Sequence, residues 1–111
     1  MSESKVQKKI LDWLKANNYW VFKTITCNRS GIMDIVGCTP TGQFIGVEVK
    51  YGDNKCSKLQ SWNILEVAKR GGIAFAAWSL DDVRSKLESL HRRQTSGADG
   101  SNATTRGVNR K

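Results

Sequence analysis

With 111 residues the chain has room for one ordinary domain with a hydrophobic core, and not for two. A hydrophobic fraction of 39% that includes four tryptophans excludes a chain disordered throughout, and no apolar run reaches the ~18 residues of a membrane span. The net charge of +8 suits a polyanionic partner, nucleic acid first, because each phosphate neutralised releases counterions; a basic surface that only aids solubility is the alternative.

Ser2 caps a first predicted helix whose Val6, Ile10, Leu11 and Leu14 recur at helical spacing, with Asn17 and Asn18 closing it. Glu3 and Gln7 fall on the face shared by Ile10 and Leu14. Glu3 can thus point at the body of the protein, or simply complement the helix dipole in the first turn. Residues 19–23, aromatic and β-branched, predict a strand, and 27–31 a polar loop holding Arg29 and Ser30.

Residues 32–37 predict the second strand. Thr39, Pro40, Thr41 and Gly42 carry turn chemistry, so residues 43–50 return as the third strand of a hairpin. After a loop at 52–54, Ser57 and Gln60 have the capping-box spacing for a helix to about Arg70, which Gly71 and Gly72 stop. Residues 73–78 read as a buried strand, parallel to its predecessor because a helix crosses between them. Ser79 caps a last helix with Leu80, Val83, Leu87 and Leu90. From His91 onward apolar residues nearly vanish, which predicts a folded region at 1–90 and a disordered basic tail at 91–111 that either touches phosphate or merely solvates. The expected fold is α/β: a small mixed β-sheet flanked by helices, with an αβββαβ core plus a C-terminal helix.

Cys27, Cys38 and Cys56 are odd in number and lack CxxC spacing, and His91 begins the polar tail. Neither a disulfide framework nor a zinc site is expected, and no secretory leader is legible, which favours a soluble, cytoplasmic protein without a membrane partner.

Charges inside the hairpin carry the chemistry. Alternation sends Ile45, Val47 and Val49 to one face of the third strand and Phe44, Gly46, Glu48 and Lys50 to the other. The hairpin folds Asp34 toward Glu48 and Lys50. Close carboxylates either share a proton or bind a cation, and Mg²⁺ suits an all-oxygen site that retains water. A neighbouring lysine can position or deprotonate that water, or counter charge developing on phosphorus. The alternative is a solvated ion pair on an exposed face, with Asp34 a turn residue.

Asp34 followed by Glu48-Val49-Lys50 resembles the D-Xn-E-x-K signature of the PD-(D/E)xK nucleases, which share a restriction-endonuclease-like core. More narrowly, SGIMDIVGCTPTGQFIGVEVK followed by KLQ resembles the VRR-NUC domain, over residues 3–80. The small stand-alone members of that family are phage or bacterial nucleases similar to Holliday junction resolvases. The resemblance implies Asp34, Glu48 and the Val49 carbonyl as Mg²⁺ ligands, with Mn²⁺ as a substitute. It assigns Lys50 to the attacking water, Gln60 to support of the site, and Glu3 as a further candidate ligand. It also implies structure-selective cleavage of branched DNA by a homodimer; nicking, flap, repair or restriction activity, or a non-catalytic basic DNA-binding module, are the alternatives. Arg29, Ser30, Lys55 and Lys58 are candidate phosphate contacts. The tryptophans are expected to be core or interface anchors rather than base-stacking platforms. Met33 stands where the signature has proline.

Overall fold

In the computed structural model, which describes residues 2–99, three helices and four strands follow one another as expected. Helix α1 (Glu3–Ala16) starts at Ser2, whose side chain accepts from the Lys5 amide, and buries Val6, Gln7, Ile10 and Leu14. Strands β1 (Trp20–Lys23), β2 (Ile35–Cys38) and β3 (Phe44–Val49) pair antiparallel in sequence order, and β4 (Ile73–Ala77) joins β3 in parallel. The sheet order is therefore β1-β2-β3-β4, with helix α2 (Lys58–Lys69) as the crossover. This α/β arrangement is the predicted αβββαβ core with helix α3 (Leu80–Asp99) after it.

The hairpin register follows from its turn. The Thr39 hydroxyl accepts from the Thr41 and Gln43 amides, and Gly42 takes a φ of 88° that an L side chain rarely adopts. Pairing Ile35 with Val47 then sets the apolar positions of both strands on one face. That face, completed by Val21, Ile45, Val49, Phe75 and Ala77, is buried. At Gly37 there is no room for a side chain, because a Cβ there would strike the Trp20 carbonyl on β1.

Two expectations change. Ile32, Met33 and Asp34 are not in β2; they form the segment that leads into it. The composition change at His91 does not end helix α3, which continues to Asp99 and includes an Arg92–Glu88 pair at 3.5 Å. Adding residues to an existing helix gains one backbone hydrogen bond per residue fixed, so a helix outlasts its apolar stripe. The rest of the predicted tail, 100–111, lies outside the described residues. The chain divides after Leu80 into two units. The first holds the sheet, α1, α2 and every candidate site residue.

Candidate active site at the end of the sheet

Strand β3 lies between β2 and β4 and is buried on both faces, so Glu48 is only 3% exposed. The solvated ion pair that alternation alone permitted is thereby excluded. A carboxylate in such a place must be compensated, and two side chains do so, one from the end of β3 and one from α2. Lys50, two residues on, brings its ammonium within 3.3 Å of Glu48 Oε2. Gln60, from the first turn of α2, donates to the same oxygen at 3.0 Å and accepts from Lys50 Nζ at 2.9 Å.

Gln60 also caps its own helix. Its Oε1 accepts from the Ser57 amide at 2.9 Å, while its backbone N–H donates to Ser57 Oγ at 3.1 Å. One side chain thus closes the capping box and ties the helix start to Glu48 and Lys50.

Asp34 arrives from the segment before β2. Its Oδ2 accepts from the Val49 amide at 2.9 Å, which crosses the hairpin and places its carboxylate beside Glu48. Thr24 fixes the backbone there: its amide donates to the Asp34 carbonyl at 2.8 Å, and its hydroxyl lies 3.0 Å from the Met33 carbonyl. Sequence reading missed Thr24, since only the β1–β2 register brings it alongside.

The electrostatics are those of a pair of carboxylates short of positive charge. Burial, then the neighbouring Asp34 carboxylate, raises Glu48 from 4.5 to about 7, against the lowering effect of Lys50. Glu48 Oε1 is buried and has no hydrogen-bond partner among the described residues. An orphaned carboxylate oxygen next to a second carboxylate fits a bound cation, and an all-oxygen donor set fits a hard one such as Mg²⁺. Among the described residues no group of three or more His, Cys, Asp or Glu side chains gathers, so the two carboxylates would need backbone carbonyl or water oxygens beside them.

A solved structure described as "VRR_NUC domain" matches this fold with a TM-score of 0.67 at 30% sequence identity, over 78% of this chain and 94% of that one. The chain belongs to the VRR-NUC family, a nuclease family. A second solved structure, "VRR_NUC domain protein", shares the fold with a TM-score of 0.65 at 18% identity, over 83% of this chain and 89% of that one. No family model matches the sequence, and no curated protein matches it either.

Within this VRR-NUC domain, membership in the PD-(D/E)xK superfamily is consistent with the positions of Asp34, Glu48 and Lys50. Met33, at the proline position of the signature, is 2% exposed and fills the space left by Gly46, where a Cβ would lie 2.5 Å from Met33 Cε. A long apolar side chain thus anchors the segment by packing, where proline would act through its fixed φ.

The remaining candidates are dispersed. No hydrogen bond or ion pair among the described residues joins Glu3 to Asp34, Glu48, Lys50 or Gln60; one turn on, Gln7 is buried and its Oε1 has no partner. Lys55 and Lys58 are exposed beside the start of α2. Arg29 and Ser30 are drawn to α2 instead, through Asn63. The Asn63 amide nitrogen lies 3.1 Å from the Ser30 carbonyl and 3.0 Å from that of Gly31, and its Oδ1 accepts from Arg29 Nε at 3.3 Å. Asn63 was also missed; the available signal was a polar residue of low helix propensity inside an apolar helical run.

Core placement, one of the two roles expected of the tryptophans, is not met: none of the four is buried, and an interface role is one that exposed rings can serve. Trp20 is 69% exposed, Trp62 48% and Trp78 39%. Trp20 lies on the edge strand β1, and the ring of Trp62, on α2, has the Arg29 guanidinium 5.7 Å from its centre.

Proposed function

We propose that the chain is a metal-dependent endonuclease that hydrolyses phosphodiester bonds in DNA, with branched DNA such as four-way junctions as its substrate. The observation that carries this reading is the buried, unpartnered Glu48 Oε1 beside Asp34, within reach of an ammonium that Gln60 holds in place. The family relationship supports nuclease chemistry, and the charge of +8 supports a nucleic-acid substrate.

Asp34, Glu48 and the Val49 carbonyl would hold Mg²⁺, with Mn²⁺ as a substitute. When bound, such an ion polarises the phosphate and lowers the pKa of a coordinated water. Lys50, fixed by Glu48 and Gln60, orients the attacking water and offsets the negative charge that builds on the phosphoryl oxygens. The water oxygen forms the new bond to phosphorus as the ester oxygen leaves. The water gives up one proton to bulk base, and the leaving oxygen gains one. Gln60 keeps Lys50 and Glu48 from drifting, because a long lysine chain otherwise samples many rotamers.

A domain of this size covers little of a duplex, so a homodimer that sets two such sites on two strands suits a branched substrate. The test is cleavage of four-way, flap and linear DNA by the full chain with Mg²⁺, Mn²⁺ or a chelator. Metal-dependent cutting that favours the four-way junction is expected. DNA binding without cutting under either metal overturns the enzyme reading, and equal cutting of linear duplex overturns the branch preference.

A further inference from the structure

Beside the segment that leads to Asp34 lies a cavity of about 400 Å³ lined by the apolar Met33, Val36 and Phe44 and by Arg29 and Trp62, with Glu66 and Arg70, paired at 2.8 Å, also on its lining. The geometry points to this cavity as a binding site for one unpaired nucleobase of the DNA strand, with Arg29 taking the adjoining phosphate. The inference rests on the reading of DNA as substrate and adds a site outside Asp34, Glu48, Lys50 and Gln60.

Three features support it. The Arg29 guanidinium lies 5.7 Å from the centre of the Trp62 ring, a cation over an aromatic face, yet Trp62 remains 48% exposed. Among the described residues the one hydrogen bond of the Arg29 side chain is from Nε to Asn63, so both terminal nitrogens keep their protons free for an acceptor. The lining is also built firmly onto the backbone of the catalytic segment. Asn63 ties down the Ser30 and Gly31 carbonyls, and Gly31, with a φ of 76°, lies so close to α2 that a Cβ would meet Leu59 Cγ at 2.8 Å.

Apolar side chains, an exposed indole and a planar cation with spare donors match the chemistry of a nucleotide, which offers a flat π-face and an anionic phosphate. A purely apolar peptide side chain would meet the apolar lining but leave the Arg29 donors desolvated and unpaired. The base must be unpaired and unstacked, because within a duplex both of its faces are covered. Met33 is next in sequence to Asp34, so the cavity is built on the same segment that carries Asp34.

The test uses the full chain with a chelator present, so that binding is read without cutting. Probes are a short single strand carrying 2-aminopurine, the same strand with an abasic site, and a blunt duplex. Trp62→Ala is expected to weaken single-strand binding about tenfold, to lose most of the 2-aminopurine fluorescence change, and to alter duplex affinity far less. Trp62→Phe should recover most of the loss. Arg29→Lys, which keeps the charge and loses the planar fork, should weaken the single strand more than the duplex.

Equal losses on single strand and duplex, no preference of the native chain for an intact over an abasic strand, or a Trp62→Ala effect confined to oligomeric state by sedimentation each overturn the base site. The last would make the surface a contact between copies. The two readings fail separately: a native chain that shows the base effect but never cuts with metal refutes the nuclease, and one that cuts without the base effect refutes only this site.

Discussion

Glu48 is the residue on which the chemistry and the stability meet. Its folded pKa of about 7 stands above its ordinary 4.5, because burial and Asp34 disfavour the ionised form. The folded state thus holds more proton than the unfolded state between those values, and the slope of stability with pH is negative there. Stability from the protonated carboxyl is complete below about 4.5 and is lost as pH rises through 7. The metal-free native chain should therefore melt at a lower temperature at about pH 8 than at about pH 5. Glu48→Gln should flatten that dependence and add on the order of 2 kcal/mol above neutrality. Divalent metal should reverse the trend for the native chain, since its binding requires the ionised carboxylate and releases the proton. Parallel melting curves for native and Glu48→Gln across pH would show that Glu48 is not the titrating group. Lys50, Asp34 and Cys56 are the other titratable groups that face it, and Cys56 is itself held as a thiol by burial.

At the scale of elements, Gln60 joins helix α2 to the end of β3, and its two roles can be separated. Ser57→Ala removes the oxygen that accepts the Gln60 amide and should cost about 1 kcal/mol of stability while cleavage persists. Gln60→Glu keeps the capping geometry but sets a carboxylate against Glu48 in place of an N–H donor. It should leave the helix intact and reduce cleavage by about tenfold or more, measured as kcat alongside circular dichroism. The hairpin was legible in the sequence because its turn residues and alternating strands fix the register, and the parallel β4 followed from the helix that crosses to it. The capping box, too, was legible from the Ser57 and Gln60 spacing. What local pattern could not supply was the covering of the second face of β3: an alternating strand reads as half exposed, and only the positions of β4 and α2 show Glu48 to be buried. For the same reason Asn63, Thr24 and the Arg29–Trp62 contact were beyond it, since each depends on how α2 or β1 is set against a loop some 10 to 34 residues away in sequence.

For the whole molecule, charge and site act at different ranges. Arg106, Arg110 and Lys111 lie in residues 100–111, beyond α3. If that segment touches phosphate, truncation after Asp99 should lower DNA affinity and reduce the slope of log affinity against log salt by about 0.9 for each phosphate it had neutralised. Cutting should persist at saturating DNA, and an unchanged salt slope would exclude the segment from binding. The central claim, that Asp34, Glu48 and Lys50 form one hydrolytic site, is tested most directly by single-turnover cleavage of a four-way junction with Mn²⁺. The native chain is compared with Asp34→Ala and Lys50→Ala, each first shown to fold and to bind DNA. Both substitutions are expected to reduce the cleavage rate at least a hundredfold with binding retained. Cleavage at the native rate by either folded variant would contradict the assignment.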